Sequence, residues 1–229
     1  MNSQGYTFKV GGAEWTIDYA GEMGSRWQVT SHTNNIALAS RLLDKELRSD
    51  VLTRNMWNAI VYVLIDKVMQ KHTGKWAKYM MPVSHGIGGV MAQMVSNPLL
   101  PEVDQPQWWN VLGMMYEVRV ENIICQEDRI YGRCNSNHYT IILQNKEAGV
   151  VFHPQFVRQT LIHELLHAVH YELGLQSTKW DSEEHVNTLS ILLSEVYNTL
   201  QVKTTDNAID TENTQAQEEP VLREALASS

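Results

Sequence analysis

"KVGGAEWTIDY" runs from Lys9 to Tyr19, and "NVLGMMYEVRV" runs from Asn110 to Val120. Slid onto one another, Val10 meets Val111, Gly12 meets Gly113, Trp15 meets Tyr116 and Ile17 meets Val118. Each reads as a strand with apolar residues at alternate positions. Each is followed by a polar stretch and then a short apolar run, "NNIAL" ending at Leu38 and "YTIIL" ending at Leu143. From there the two segments align without a gap through a long helical pattern, Asp50 to Met69 against Gln155 to Gly174. A further helix is expected after each, "HGIGGVMAQMV" in the first and "SEEHVNTLSILLSEVYNTL" in the second, the glycines weakening the former. Identity is low, but the order of elements and the apolar spacing agree. The reading is an α+β protein of two similar strand–strand–helix units in tandem.

Between the units lies "SNPLLPEVDQPQ", Ser96 to Gln107, whose three prolines mark a linker. The expected division is residues 1–104, 105–203 and 204–229. The last segment, "TTDNAIDTENTQAQEEPVLREALASS", is polar and acidic without sustained periodicity. It carries too little apolar surface to offset its ordering entropy, so it reads as a disordered tail in which "VLREALASS" could form a short helix.

The 229 residues carry a formal charge of −8 and no basic cluster, which argues against a nucleic-acid partner. No apolar run reaches the length of a membrane span, and "MNSQGYTFKV" lacks the features of a secretory signal. A cytoplasmic protein is the expectation. Cys125 and Cys134, the only cysteines, are too few and wrongly spaced for a zinc ribbon and are expected to be free thiols.

The chemistry concentrates in "IHELLHAVH", Ile162 to His170. Pro154 marks a helix start and Gly174 a helix end. His163 and His167 are four apart, so both imidazoles lie on one face and can reach one ion. Glu164 lies to the adjacent side, placed to take a proton from an attacking water. Leu161, Leu165, Leu166, Val169 and Leu173 supply an apolar surface around them. Satisfied core histidines would explain the two imidazoles, but a buried Glu164 without a charge partner is costly. One bound metal ion accounts for all three.

A site with one open position needs a third protein ligand. In the following helix Val186, Leu189, Leu193, Val196 and Leu200 form an apolar stripe. Extended back by three it reaches Glu183, whereas Glu184 falls off that face and His185 is a weaker candidate. The alternative for these acidic residues is a solvated helix start that suits the helix dipole. Asn187, one turn beyond Glu183, could hydrogen-bond a ligand. His138, Tyr139, Tyr171 and Tyr197 are candidate donors to a developing oxyanion, unranked by sequence. His170 shares the face of the two histidines and is read as structural or supporting.

"TLIHELLHAVHYELGL" followed by "EEHVNTLSILL" resembles the zincin superfamily of H-E-x-x-H zinc peptidases. A glutamate on a later helix resembles its gluzincin branch, and the compactness resembles small bacterial and phage-encoded peptidases of the ImmA/IrrE and SprT-like groups. The resemblance covers about the last hundred residues before the tail. It implies one Zn2+ per chain on His163, His167 and Glu183, with Glu164 as general base. It further implies hydrolysis of a protein or peptide substrate, in a host cytoplasm if the chain is phage-encoded. It also implies an edge strand along the cleft, here "YTIIL", to which substrate could pair. The LLMP-like ending of ImmA relatives and the cysteine-rich ribbon of many SprT-like proteases are both missing, so neither substrate class carries over. The rival reading is a non-catalytic zincin-fold binding protein. In the first unit the counterparts of His163, Glu164 and His167 are Asn58, Ala59 and Tyr62, so that unit should hold no metal and be closed by Trp57 and Tyr62.

Overall fold

The computed structural model describes residues 5–23, 25–30, 33–42, 45–69, 77–103, 105–121 and 130–202. Cys125 and the expected disordered tail, 204–229, lie outside the described residues.

The first unit runs β1 (Tyr6–Val10), β2 (Ala13–Glu22), β3 (Trp27–Thr30), β4 (Asn35–Leu42), β5 (Lys45–Glu46), α1 (Ser49–Met69) and α2 (Ala77–Ser96). The second runs β6 (Gln107–Val111), β7 (Met114–Glu121), β8 (Gly132–Asn135), β9 (Thr140–Gln144), the small hairpin β10 (Lys146–Glu147) and β11 (Val150–Val151), α3 (Pro154–Glu172), α4 (Glu183–Thr199) and β12 (Gln201–Val202). The architecture is therefore α+β, two units each made of a mixed sheet followed by helices. Both sheets keep the same order, β1-β2-β4-β3 in the first and β6-β7-β9-β8 in the second. In both, one pair is parallel, β2 with β4 and β7 with β9.

The two quoted stretches are hairpins rather than single strands. Gly11 and Gly12 have φ of 55° and 80°, and Leu112 and Gly113 have 53° and 100°. Positive φ at both central residues marks a type I′ turn, whose twist matches that of the strands it joins. The repeat holds at the level of register. Tyr6 pairs Ile17 as Gln107 pairs Val118. Ile17 pairs Ile36 as Val118 pairs Ile141, and Trp27 pairs Leu38 as Gly132 pairs Leu143. The polar stretches conceal a fourth strand in each unit, β3 and β8, too short and too polar to stand out by alternation.

The helix α2 begins well before "HGIGG" and carries Pro82 inside it. Its glycines have a packing reason. A Cβ at Gly88 would lie 2.7 Å from the backbone nitrogen of Asn58, and one at Gly86 would lie 2.7 Å from Val169 Cγ1. α2 thus crosses α1 and α3 closer than any side chain allows.

The units exchange helices across a shared core. α4, from the second unit, lies against β1 and α1, and α2, from the first, lies against β6 and α3. The cross-links are equivalent in place. The Lys9 N–H donates to Thr199 Oγ1 at 3.0 Å, and the N–H of its counterpart Asn110 donates to Gln93 Oε1 at 3.0 Å. Gln93 returns a bond of 2.7 Å to the Asn110 carbonyl. β12 then pairs antiparallel with β1, so the second unit supplies the outer strand of the first sheet. Trp15, Ile17 and Leu38, the helix residues Trp57, Ile60 and Leu64, and Tyr116, Val118, Leu165 and Leu193 belong to one contiguous buried cluster.

Candidate metal centre

α3 starts where proline and a capping side chain permit. His153 at the N-cap accepts from the Gln155 N–H at 3.2 Å, and Pro154 takes the first position, where no N–H partner is required. It ends on Gly174 at φ 66°, with Leu175 N–H bonding the His170 carbonyl and Gly174 N–H bonding that of Tyr171. This double closure is the usual glycine stop. Leu161, Leu165, Leu166 and Val169 are buried, leaving His163 and His167 at a cleft of about 930 Å³.

Glu183, the first residue of α4, joins them. His163 Nε2 lies 3.2 Å from His167 Nε2. The two Glu183 oxygens each lie 3.4 Å from one of them, Oε2 from His163 and Oε1 from His167. Bonds of about 2.0–2.1 Å to one ion put neighbouring donors roughly 3.3 Å apart, so each of these contacts has the length that ligands of a shared ion would show. His167 is held from behind, its Nδ1 lying 2.8 Å from Asp181 Oδ1. A carboxylate on Nδ1 fixes the tautomer that leaves Nε2 free to ligate. Asp181 also lies 3.4 Å from Nδ1 of the buried His170.

Charge at the site is set by burial and these contacts. Burial lowers the pKa of His163, with the neighbouring His167 adding to the effect. For His167 burial acts in the same direction, but the Asp181 bond and the surrounding carboxylates outweigh it and raise its pKa. Burial tends to raise Asp181, yet the two histidines hold it at about 2. Glu164, only 6% exposed, is pushed up to about 7, chiefly by burial, although the Cys134 N–H hydrogen-bonds to it.

The remaining residues singled out in the sequence divide by place. Asn187 hydrogen-bonds His163 and lines the cleft. Tyr171 lines it too, its hydroxyl donating to Asn137 Oδ1 at 3.2 Å. Glu184 is exposed and stands outside the metal-competent group. His185 Nδ1 lies 2.8 Å from Ser182 Oγ. Tyr139, His138 and Tyr197 are away from the cleft lining. Tyr139 sits at φ 51° with its ring edge-on to Tyr116, and the His138 carbonyl accepts from Thr140. Arg158 lies over the ring of Tyr197.

Two features were not read from the sequence. Asp181 lies in a short 3-10 turn, off the apolar stripe that located Glu183, and its one signal is a carboxylate two residues before a candidate ligand. The strand bordering the cleft is β8, not "YTIIL". β9 is enclosed by β7 and β8, whereas β8 is the edge and contributes Gly132, Arg133 and Cys134 to the lining. Gly132 is required there, since a Cβ would lie 2.6 Å from Glu164 Oε1.

The first unit shows why the counterpart site is shut. Trp27 stands in β3 where Gly132 stands in β8, and its ring lies 5.1 Å from that of Tyr62, the counterpart of His167. Trp57, expected to close the site, is instead a fully buried core residue, the counterpart of Ile162. No His, Cys, Asp or Glu group able to hold a metal is found in this unit among the described residues.

Fold and site together define an α+β protein of two like units, with a candidate His/His/Glu metal site in the second. Comparison with known proteins finds no family model, no curated protein and no solved structure that matches the chain. Among the described residues, no helix is long and apolar enough to cross a membrane.

Proposed function

We propose that this chain is a zinc-dependent peptidase that hydrolyses peptide bonds of a protein or peptide substrate. One observation carries the reading. Two imidazole nitrogens and a carboxylate that could share one ion stand beside the buried carboxylate of Glu164. His163, His167 and Glu183 would hold zinc, which when bound supplies Lewis acidity and makes water nucleophilic at neutral pH. Glu164 takes the proton of the attacking water and passes it to the leaving amine. Asp181 keeps His167 in its ligating tautomer. An extended peptide would pair along the edge of β8. Tyr131 and Phe156 line the same cleft and form an apolar wall, their rings 5.2 Å apart.

The test is a cleavage screen of a denatured proteome with wild type and Glu164→Gln. Wild type should generate new peptide termini, and the variant should bind one zinc per chain yet lose cleavage by at least about a hundredfold. Equal cleavage by both would remove Glu164 from the mechanism. Zinc binding by both with no cleavage by either would make the chain a binding protein.

A further inference from the structure

We propose that the first unit carries a second binding site, for carboxylate side chains of an acidic peptide segment. The site is a cavity of about 540 Å³ between α1, α2 and β6, lined by Arg26, Val51, Arg54, Asn55 and Trp108 among others. It occupies the place in the first unit that one end of the metal cleft occupies in the second. With the strand and helix registers that relate the units, Arg26 corresponds to Tyr131, Val51 to Phe156, Arg54 to Gln159 and Asn55 to Thr160. All four counterparts line the cleft. Trp27 on Tyr62 has filled the metal end. The far end has stayed open, and its aromatic wall has become cationic.

The chemistry of the lining selects the ligand. Val51, Arg54 and Asn55 share one face of α1 by their spacing. Asn55 is 2% exposed, and its Nδ2 has no hydrogen-bond partner among the described residues. Neither Arg26 nor Arg54 forms an ion pair with any described residue. The one carboxylate in the lining, Asp50, is already bound to Arg48. Arg26 and Arg54, both exposed, therefore line the cavity, and among the described residues no carboxylate pairs with either. Planar forks of this kind match carboxylates. Trp108, 61% exposed at the rim, adds an apolar face for the chain that carries the carboxylate. The position matches a cleft end that we read as holding a protein chain, which favours a peptide over a nucleic acid. Binding here does not require the second unit to be catalytic.

The experiment is fluorescence anisotropy of a fluorescein-labelled, C-terminally amidated pentaglutamate with the full chain at low salt, against pentaglutamine. Pentaglutamate should bind at least about tenfold more tightly. Arg26→Gln and Arg54→Gln should each weaken it about tenfold with the melting temperature unchanged. Asn55→Asp, nearly isosteric and bearing the opposite charge, should weaken it further, and His163→Ala should leave it unaltered. Equal binding of the two peptides would overturn the proposal. So would arginine variants that bind like wild type, or loss of binding in His163→Ala, which would place the peptide in the metal cleft. Displacement of the peptide by micromolar adenosine monophosphate would make this a nucleotide site and sink the peptide assignment.

Discussion

At the scale of single residues, the candidate site rests on a carboxylate behind a histidine and a carboxylate buried beside it. Asp181→Asn keeps the shape and removes the charge that orients His167. Its zinc affinity, measured by competition with a chromophoric chelator, should fall about 10–100-fold while Glu184→Gln matches wild type. Glu164 makes a prediction about pH. In chelator-treated protein its folded pKa of about 7 lies above its ordinary 4.5. The folded state therefore holds a proton that the unfolded state releases in between. That contribution is full below about pH 4.5, declines as pH rises to about 7, and is absent above it. Urea titrations across this window should show Glu164→Gln gaining on wild type, by on the order of 3 kcal/mol. A constant difference between the two proteins would contradict the assigned shift. His163, Glu164 and His167 were legible in the sequence because helical spacing alone puts them together. Asp181 was not, because a short turn has no period from which its direction can be read.

At the scale of elements, glycine marks where backbones touch. Gly88→Ala forces a methyl group against the backbone of Asn58. It should destabilise the protein by about 1–3 kcal/mol, read as a lower urea midpoint with an unchanged slope. Gly89→Ala, where a Cβ meets nothing within 4 Å, is the control and should be neutral or slightly stabilising. The same point explains what the sequence showed of the fold. Long apolar helices and paired strand patterns were visible, since burial imposes their spacing. The hairpin turns were misread as strand interior because Gly11–Gly12 and Leu112–Gly113 interrupt the alternation for only two residues. β3 and β8 were missed because short edge strands are half exposed and carry little alternation. α2 looked weak because its glycines, poor helix formers, are chosen for crossing distance.

At the scale of the whole molecule, the two units are alike in plan but not separable in substance. α4 and β12 complete the first sheet, and α2 covers β6 and α3. Residues 1–104 or 105–203 expressed alone should each expose the apolar face that the other covers and give aggregated or poorly dispersed material. Coexpressed, they should associate into a stable pair. Two separate thermal transitions in the intact chain would contradict this, since one shared core implies one cooperative unit. The pairing of Tyr6 with Val202 also imposes an order of events on biosynthesis. A ribosome makes β1 before every other element described here and β12 after all of them. During that interval β1 waits with an open edge, a template for pairing with a neighbouring nascent chain on the same message. Translation speed and chaperone access should therefore govern the yield of native protein, because of the strands described here the first to be made is the one whose outer partner is made last.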